Sequence, residues 1–340
     1  MGTPRVALIT GGAGFIGRHV VAALAREADW RLVVVDSLTY AAHPAALREL
    51  AEHADLHLET CDVADAASLD GVFARWRPQV VLHLAAETHV DRSLQDAAPF
   101  LRTNVLGTHA VVRACVAHRV ERLVQVSTDE VYGDREDRAA SREGDPVAPT
   151  NAYAASKACG DQLVLAAVRA EGLDAVVTRG VNTFGAGQFP EKLLPLAARR
   201  WAAGQAMALY GDGEQVRQWV SAEDHAAGIL AALHRGERGS ICHFAGEGLT
   251  NRQVLRRWAE ALGRPWDETL LTPVPDRPGH DRRYALDDGA TRATLGWAGA
   301  ARVDFAALAA WTRANPRCWD AGLDRRDVQE YFARQYGQAR

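Results

Sequence analysis

The run Val6-Ala-Leu-Ile-Thr10 passes directly into Gly11-Gly-Ala-Gly14-Phe-Ile-Gly17 and then into a helical stretch. Gly11 permits a tight strand-to-helix turn, Gly14 lets the backbone approach a diphosphate, and Gly17 lets the helix pack closely on the strand. The helix start adds unpaired amide donors and the positive end of a dipole. After a strand and before a helix, this G-x-x-G-x-x-G spacing is a dinucleotide-binding pattern, with Phe15 and Ile16 inside the same turn. Asp36 closes Leu32-Val-Val-Val-Asp36, nineteen residues past Gly17. An acid there accepts hydrogen bonds from the adenosine ribose and repels a 2′-phosphate, so the expected cofactor is NAD. Arg18, which would pair with a 2′-phosphate, is the lesser alternative.

Short β-rich runs recur at residues 56–59, 80–84, 123–127 and 175–179, separated by alanine-rich helical stretches. Near-continuously apolar strands alternating with helices predict an α/β fold, a doubly wound parallel sheet of the Rossmann type. After Arg179 glycine and proline cluster at 185–190, 211–213 and 272–279, which predicts a smaller C-terminal substrate-binding lobe. The expected division is residues 1–180 for the NAD-binding domain, joined again by 221–245, with 181–220 and 246–340 forming the lobe. Ser221 is the expected N-cap of a helix over 221–234, and Thr250 caps another reaching Leu262. The polar stretch 141–150 is expected to be a loop.

Composition narrows the function. The 340 residues carry a formal net charge of −4, which argues against phosphate-neutralising binding to nucleic acid. No apolar run approaches the roughly 18 residues that cross a bilayer, and the amino-terminal apolar stretch reads as a strand, not a leader. Five scattered cysteines without a C-x-x-C suggest reduced thiols and a cytoplasmic protein. No metal site is expected. His53 and His57 have helical spacing, but Ala54-Asp55 between them looks like a turn.

Tyr153-Ala-Ala-Ser-Lys157 lies in a helical stretch, so Tyr153 and Lys157 share a face one turn apart. A nearby ammonium and a cationic nicotinamide ring favour the phenolate, making Tyr153 a candidate base and Lys157 a candidate holder of the ribose. Ser127-Thr-Asp-Glu-Val-Tyr-Gly133 follows a strand, at the end where open α/β sheets bind ligands. Thr128, Asp129 and Glu130 there are candidate catalytic groups, the two carboxyls as an acid and a base. With the glycine turn, these segments resemble the extended short-chain dehydrogenase/reductase superfamily.

Longer segments narrow the resemblance. His83-Leu-Ala-Ala-Glu-Thr-His-Val-Asp-Arg-Ser93, Thr103-Asn-Val105, Gln188-Phe-Pro-Glu-Lys192, Tyr210-Gly-Asp-Gly213, Asn251 and Asp276-Arg-Pro-Gly-His-Asp281 with Arg283-Tyr284 resemble the dTDP-glucose 4,6-dehydratases along nearly the whole chain. The resemblance implies that Asp62, Val63, Leu84, Ala85, Ala86 and Thr103 join Tyr153 and Lys157 around NAD. It also implies that Thr88, Thr128, Asn182, Lys192, Leu193, Tyr210, Arg217, Asn251, Arg277, His280 and Tyr284 hold a nucleotide-sugar. Arginines suit its diphosphate. The chain departs from the family at Val181, Thr183, Gly187, Gln218 and Ser221-Ala222, changes that cluster in the sugar-nucleotide lobe.

The implied reaction converts dTDP-glucose to its 4-keto-6-deoxy product. Tyr153 takes the C4 hydroxyl proton and Thr128 binds the C4 oxygen. Glu130 removes the C5 proton and Asp129 protonates the departing C6 hydroxyl. A nucleotide-sugar 4-epimerase or a uronic acid decarboxylase would share Tyr153 and Lys157 but has no use for an acid pair at C5 and C6. A homodimer is also expected, because residues 100–118 and 151–170 form helices whose Val111, Val112, Cys115, Leu163, Val164 and Ala167 cannot all face one sheet.

Overall fold

The computed structural model describes residues 4–136, 139–316, 318 and 325–336. Twelve strands are described: β1 (Arg5–Thr10), β2 (Trp30–Asp36), β3 (Leu56–Thr60), β4 (Val80–His83), β5 (Arg122–Thr128), β6 (Ala175–Gly180), β7 (Asn182–Phe184), β8 (Met207–Tyr210), β9 (Val216–Ser221), β10 (Ile241–Phe244), β11 (Glu247–Thr250) and β12 (Leu271–Val274). Seven of them form one parallel sheet in the order β10-β6-β5-β4-β1-β2-β3. This is the expected doubly wound sheet. The chain runs outward from β1 to β3 and then returns to the other side of β1 as β4. That reversal opens a crevice above the carboxyl ends of β1 and β4.

The strands are apolar throughout because helices cover both faces. Ala7, Ile9, Leu82, Val124 and Val176 pack with Val20, Val21, Leu24, Ile229 and Leu233 from the helices Phe15–Leu24 and Ala222–Arg235. Leu8, Val33, Val81, Leu123 and Val177 point the other way, onto Val72, Phe73, Val111, Cys115 and Val164. Those side chains belong to the helices Ala66–Trp76, Thr108–Ala117 and Ala152–Glu171. The alternation of Ala7, Leu8 and Ile9 between two cores is the two-residue period of a strand.

Strands β11, β9 and β7 make a second sheet, with β9 antiparallel to β11 and parallel to β7, and β12 pairs with β8. The helices Leu193–Ala202, Asn251–Ala261 and Ala306–Ala314 enclose a separate core of Phe184, Leu194, Trp201, Trp258, Phe305 and Leu308. The two buried indoles satisfy their N–H groups on the carbonyls of Leu270 and Leu194, at 3.0 and 2.9 Å. Ser221 Oγ accepts from the Asp224 amide at 3.0 Å, and Thr250 with Gln253 forms a reciprocal cap, so both helix starts match their sequence signals. Among the described residues, no helix is long and apolar enough to cross a membrane.

The helices expected to pair two copies need a different account. The first is interrupted: Ala98–Phe100 leads into a π-helical segment, Leu101–Gly107, before Thr108–Ala117. Leu163 is half-buried, whereas Val111, Val112, Cys115, Val164 and Ala167 are all buried within the single chain, between these helices and the sheet. They therefore say nothing about a partner. The apolar side chains left outside on this surface are Leu101 and Leu106.

Candidate active site

The glycine turn is built as its spacing demands. Gly11 has φ of +68°, and a Cβ there would lie 2.6 Å from the Ala85 amide nitrogen. At Gly17 a Cβ would lie 2.1 Å from the Gly11 carbonyl oxygen, so helix and strand touch backbone to backbone. Asp36 accepts from the amides of Ala13 at 3.0 Å and Leu38 at 2.8 Å, which aims its carboxylate across the mouth of the turn. Burial pushes its carboxyl up while those two amides oppose it. Asp62 Oδ1 accepts from Ala64 N at 2.9 Å, and Arg102 meets its Oδ2 at 2.6 Å. A glycine cradle open to a diphosphate, with a fixed carboxylate beyond it, fits an NAD adenosine. Arg18 turns away from Asp36 to the Ala186 carbonyl and does not line this cavity.

The lip of the cradle, residues 84–89, is pinned from beneath. Asn104 makes a two-way bond with the Glu87 backbone, 2.9 Å each, and donates to Ser156 Oγ at 2.9 Å. Ser156 in turn donates to the Tyr153 carbonyl at 2.7 Å. His83 stands between Thr10 Oγ1 at 2.6 Å and Thr108 Oγ1 at 3.1 Å. Thr108 spends its own proton on the Asn104 carbonyl, which assigns the His83 proton to Nε2. Burial, with Lys157 nearby, holds this imidazole neutral by pulling it down to about 3.

Strand β5 delivers the acidic residues, and the helix Ala152–Glu171 delivers Tyr153 in its first turn. Asn151 caps that helix, accepting from the Ala154 amide at 2.9 Å. Asp129 is buried, its Oδ1 accepts from the Thr128 hydroxyl at 3.1 Å, and its Oδ2 has no partner. Burial first, and the Glu130 carboxylate second, push Asp129 up to about 7. Burial also raises Glu130, but Arg217, Arg277 and Lys192 pull it back. The two carboxyls thus differ: three cations pull Glu130 back, whereas Asp129 has Arg217 as its one cation and Glu130 against it. Burial and the same two carboxylates push the Tyr153 phenol up, against the Thr128 hydroxyl. Lys157 Nζ donates to the Val126 carbonyl at 2.7 Å.

The cations are held in turn. Arg217 donates to the Val216 and Asp281 carbonyls at 2.8 and 2.9 Å and lies flat over the Tyr284 ring at 4.1 Å. Arg277 donates to Asp91 Oδ1 at 2.7 Å, and its Nε has no partner. Lys192 reaches the Thr88 carbonyl at 3.3 Å, and His280 meets Asp276 at 2.6 Å.

One cavity of about 720 Å³ is lined by all the residues expected in the site except Tyr284. Tyr284 is buried behind Arg217, with its hydroxyl donating to Asp281 at 2.5 Å, so it supports the guanidinium and does not reach the cavity. Of the departures from the family pattern, Val181 and Thr183 line the cavity and Gln218 does not. Gln218 clamps the Leu286 backbone, accepting at 2.7 Å and donating at 3.2 Å. Gly187 has φ of +74° and sits against Arg18, where a side chain would collide.

A cluster at the cavity wall, to which Tyr40 and Glu191 belong as lining residues, had no sequence signal of its own. Arg92 lies between the rings of Tyr40 and Tyr331, at 4.2 and 3.9 Å, and pairs with Glu191 at 3.1 Å. Tyr40 also donates to Glu191, at 2.9 Å. These side chains come from four distant segments, so no spacing could reveal them, although Arg92 and Glu191 stand within two of the quoted motifs.

A family described as NAD dependent epimerase/dehydratase matches residues 7–243. The chain is 41% identical over 323 residues to a dTDP-glucose 4,6-dehydratase of Streptomyces niveus, covering 92% of this chain and 94% of that one. A crystal structure of a dTDP-glucose 4,6-dehydratase from Streptomyces venezuelae, with NAD and dTDP bound, superposes with a TM-score of 0.87 at 40% identity, over 93% of this chain and 99% of that one. A UDP-glucose 4-epimerase from Thermotoga maritima has a TM-score of 0.84 at 25% identity, over 92% and 99%.

The raised Asp129 has a measurable cost. Its folded-state value of about 7 lies above the roughly 3.9 of an unfolded chain. Between those values the native state holds the extra proton, so this group's contribution to stability falls as pH rises and is least above about 7. Asp129→Asn removes that penalty. Urea unfolding should show the variant gaining stability over the parent at pH 8 and much less at pH 5. An equal effect at both pH values would mean that Asp129 is not held protonated by its surroundings.

Proposed function

The chain belongs to the NAD-dependent epimerase/dehydratase family, and from that premise we propose that it is a nucleotide-sugar 4,6-dehydratase acting on dTDP-glucose. The observation that carries the reading is the adjacent pair Asp129 and Glu130 in the same cavity as Tyr153, with one carboxyl raised to about 7 and its neighbour faced by cations. An epimerase or a decarboxylase needs no such pair. Arg217, Arg277 and Lys192 suit the substrate's diphosphate, with Tyr210, Asn251, His280 and Leu193 around the nucleoside and Thr88 and Asn182 toward the sugar.

NAD, held by the glycine turn and Asp36, supplies the hydride acceptor for C4 and returns that hydride at C6. Tyr153 takes the C4 hydroxyl proton, and the Thr128 hydroxyl donates to the C4 oxygen. Lys157 holds the nicotinamide ribose, and its positive charge favours the phenolate. A C4 ketone acidifies the C5 hydrogen, which Glu130 removes as a carboxylate. Hydroxide leaves C6 poorly, so Asp129 donates the proton that carries it away as water. Within one buried pair, the carboxyl pushed up by its neighbour serves as acid and the one pulled back by three cations as base. The departures at Val181 and Thr183 then adjust the site around the sugar without touching these groups.

We also propose a homodimer in a reducing, cytoplasmic setting. Five free cysteines support the setting. The dimer is supported by Leu101 and Leu106, 51% and 60% exposed and one π-helical turn apart on the outer face. Light scattering should find the parent dimeric and the Leu101→Glu/Leu106→Glu variant monomeric. A monomeric parent would remove this part of the proposal.

The two acids should separate in deuterated water. Glu130→Gln should lose exchange of the C5 hydrogen and form no product. Asp129→Asn should retain C5 exchange while eliminating water about 10²-fold more slowly, the scale of losing one positioned acid. The opposite pattern would reverse the two roles. Undiminished product formation in both variants would end the dehydratase reading.

A further inference from the structure

Of the 39 arginine and lysine residues only Lys157 and Lys192 are lysines, and both line the cavity. Arginine stays charged when buried, whereas a buried lysine sheds its proton readily. Lys157 is 5% exposed, and burial pulls its ammonium down to about 8, opposed by Asp161. Asp161 follows one turn later on the same face of the helix Ala152–Glu171 and is fully buried. Arg179, on β6, donates its Nε to Asp161 Oδ2 at 3.0 Å and brings a terminal nitrogen to the same oxygen at 3.0 Å. Asp161 Oδ1 has no hydrogen-bond partner. Burial pushes the Asp161 carboxyl up, and Arg179 and Lys157 pull it back. The guanidinium at this oxygen favours the carboxylate form.

The clamp continues away from the cavity. Arg179 Nη1 donates to the Tyr132 hydroxyl at 2.6 Å, and that hydroxyl meets His243 Nε2 at 2.7 Å. His243 Nδ1 donates to the Asp287 carbonyl at 2.9 Å, so Tyr132 is the donor to Nε2. Neither Asp161 nor Arg179 lines the cavity. A buried ion pair returns little net stability, so stability alone does not account for one placed directly behind the site.

We propose that Asp161, clamped by Arg179, is a positioning residue that keeps Lys157 an ammonium at the pH where the enzyme works. The other groups around Lys157 do not serve as its counter-charge. Tyr153, from the same helix, gives up the phenolate charge when it takes the C4 proton, so it is no standing counter-charge. His83, from β4, is neutral. Arg179, from β6, has the same sign and spends its charge on Asp161. Asp129 and Glu130, past the end of β5, raise the Tyr153 phenol, as Asp161 also does, but of the three Asp161 alone acts on Lys157. The use of a charged Lys157 rests on the dehydratase reading, but the charge itself does not.

Two lysines make the test direct. With lysine labelled by carbon-13 at Cε, the NAD-saturated protein gives two lysine resonances, and Lys192→Arg assigns the one from Lys157. Replacing both members of the pair leaves no orphaned charge, as in Asp161→Asn/Arg179→Gln. Asp161→Leu/Arg179→Met is a second, apolar form of the kind buried pairs tolerate. In whichever double variant folds, the Lys157 midpoint should fall by about 0.5 pH unit or more, less than the ~1–3 units for losing an opposite charge alone, because the like charge of Arg179 goes with it. The alkaline limb of kcat should move the same way, with KM for dTDP-glucose unchanged. A folded double variant with its Lys157 midpoint within about 0.3 unit of the parent would overturn the proposal and leave the pair a purely structural one. Failure of the parent to make a 4-keto-6-deoxy product would instead strike the dehydratase reading and leave the titration standing.

Discussion

Two carboxyl groups held side by side away from water cannot both ionise cheaply, because each charge raises the cost of the other. Asp129 and Glu130 occupy that position at the end of β5, and the surrounding structure decides which one yields. Arg217, Arg277 and Lys192 reach Glu130 from the lobe and favour its charge. Asp129 has burial and its neighbour against it, and its Oδ2 has no partner. The result is one proton acceptor and one proton donor of the same chemical type, separated by environment. The lobe is therefore part of the acid–base chemistry as well as a grip on the nucleotide: its arginines stabilise the base.

Several groups at the cavity are supported from behind by a residue that does not reach it. Tyr284 lies under Arg217, Asp161 stands behind Lys157, and Asn104 fastens the Glu87 backbone to the helix that carries Tyr153. Arg92 draws the loops of Tyr40 and Glu191 against the helix Arg326–Tyr336. Long polar side chains are costly to immobilise singly. Fixing them in advance through shared partners lets the substrate meet groups already in place.

Much of this was legible in the sequence, for a physical reason. The glycine turn, Asp36, the acid pair and the Tyr153–Lys157 spacing are local, and their chemistry follows from a few neighbouring residues. The caps at Ser221 and Thr250 are local in the same sense. The long-range pairings were not legible. Tyr284 was expected at the substrate, yet it lies beneath Arg217, which stands on β9. Gln218 looked like a change in the site and is a clamp on the Leu286 backbone. Val111, Val112, Cys115, Val164 and Ala167 had apolar character that fits a subunit contact or a helix wedged between two others, and periodicity cannot distinguish these. The structure fills that space with the chain itself and leaves Leu101 and Leu106 outside.

The central claim is that this cavity removes water from a nucleotide-sugar by moving one hydrogen from C4 to C6. The most direct measurement uses dTDP-glucose carrying deuterium at C4, with the product examined by mass spectrometry and proton NMR. The account predicts a 4-keto-6-deoxy product, lighter by one water, with the deuterium in its C6 methyl group. A product of unchanged mass with the deuterium still at an inverted C4, or a dehydrated product whose label has passed to solvent, would contradict it.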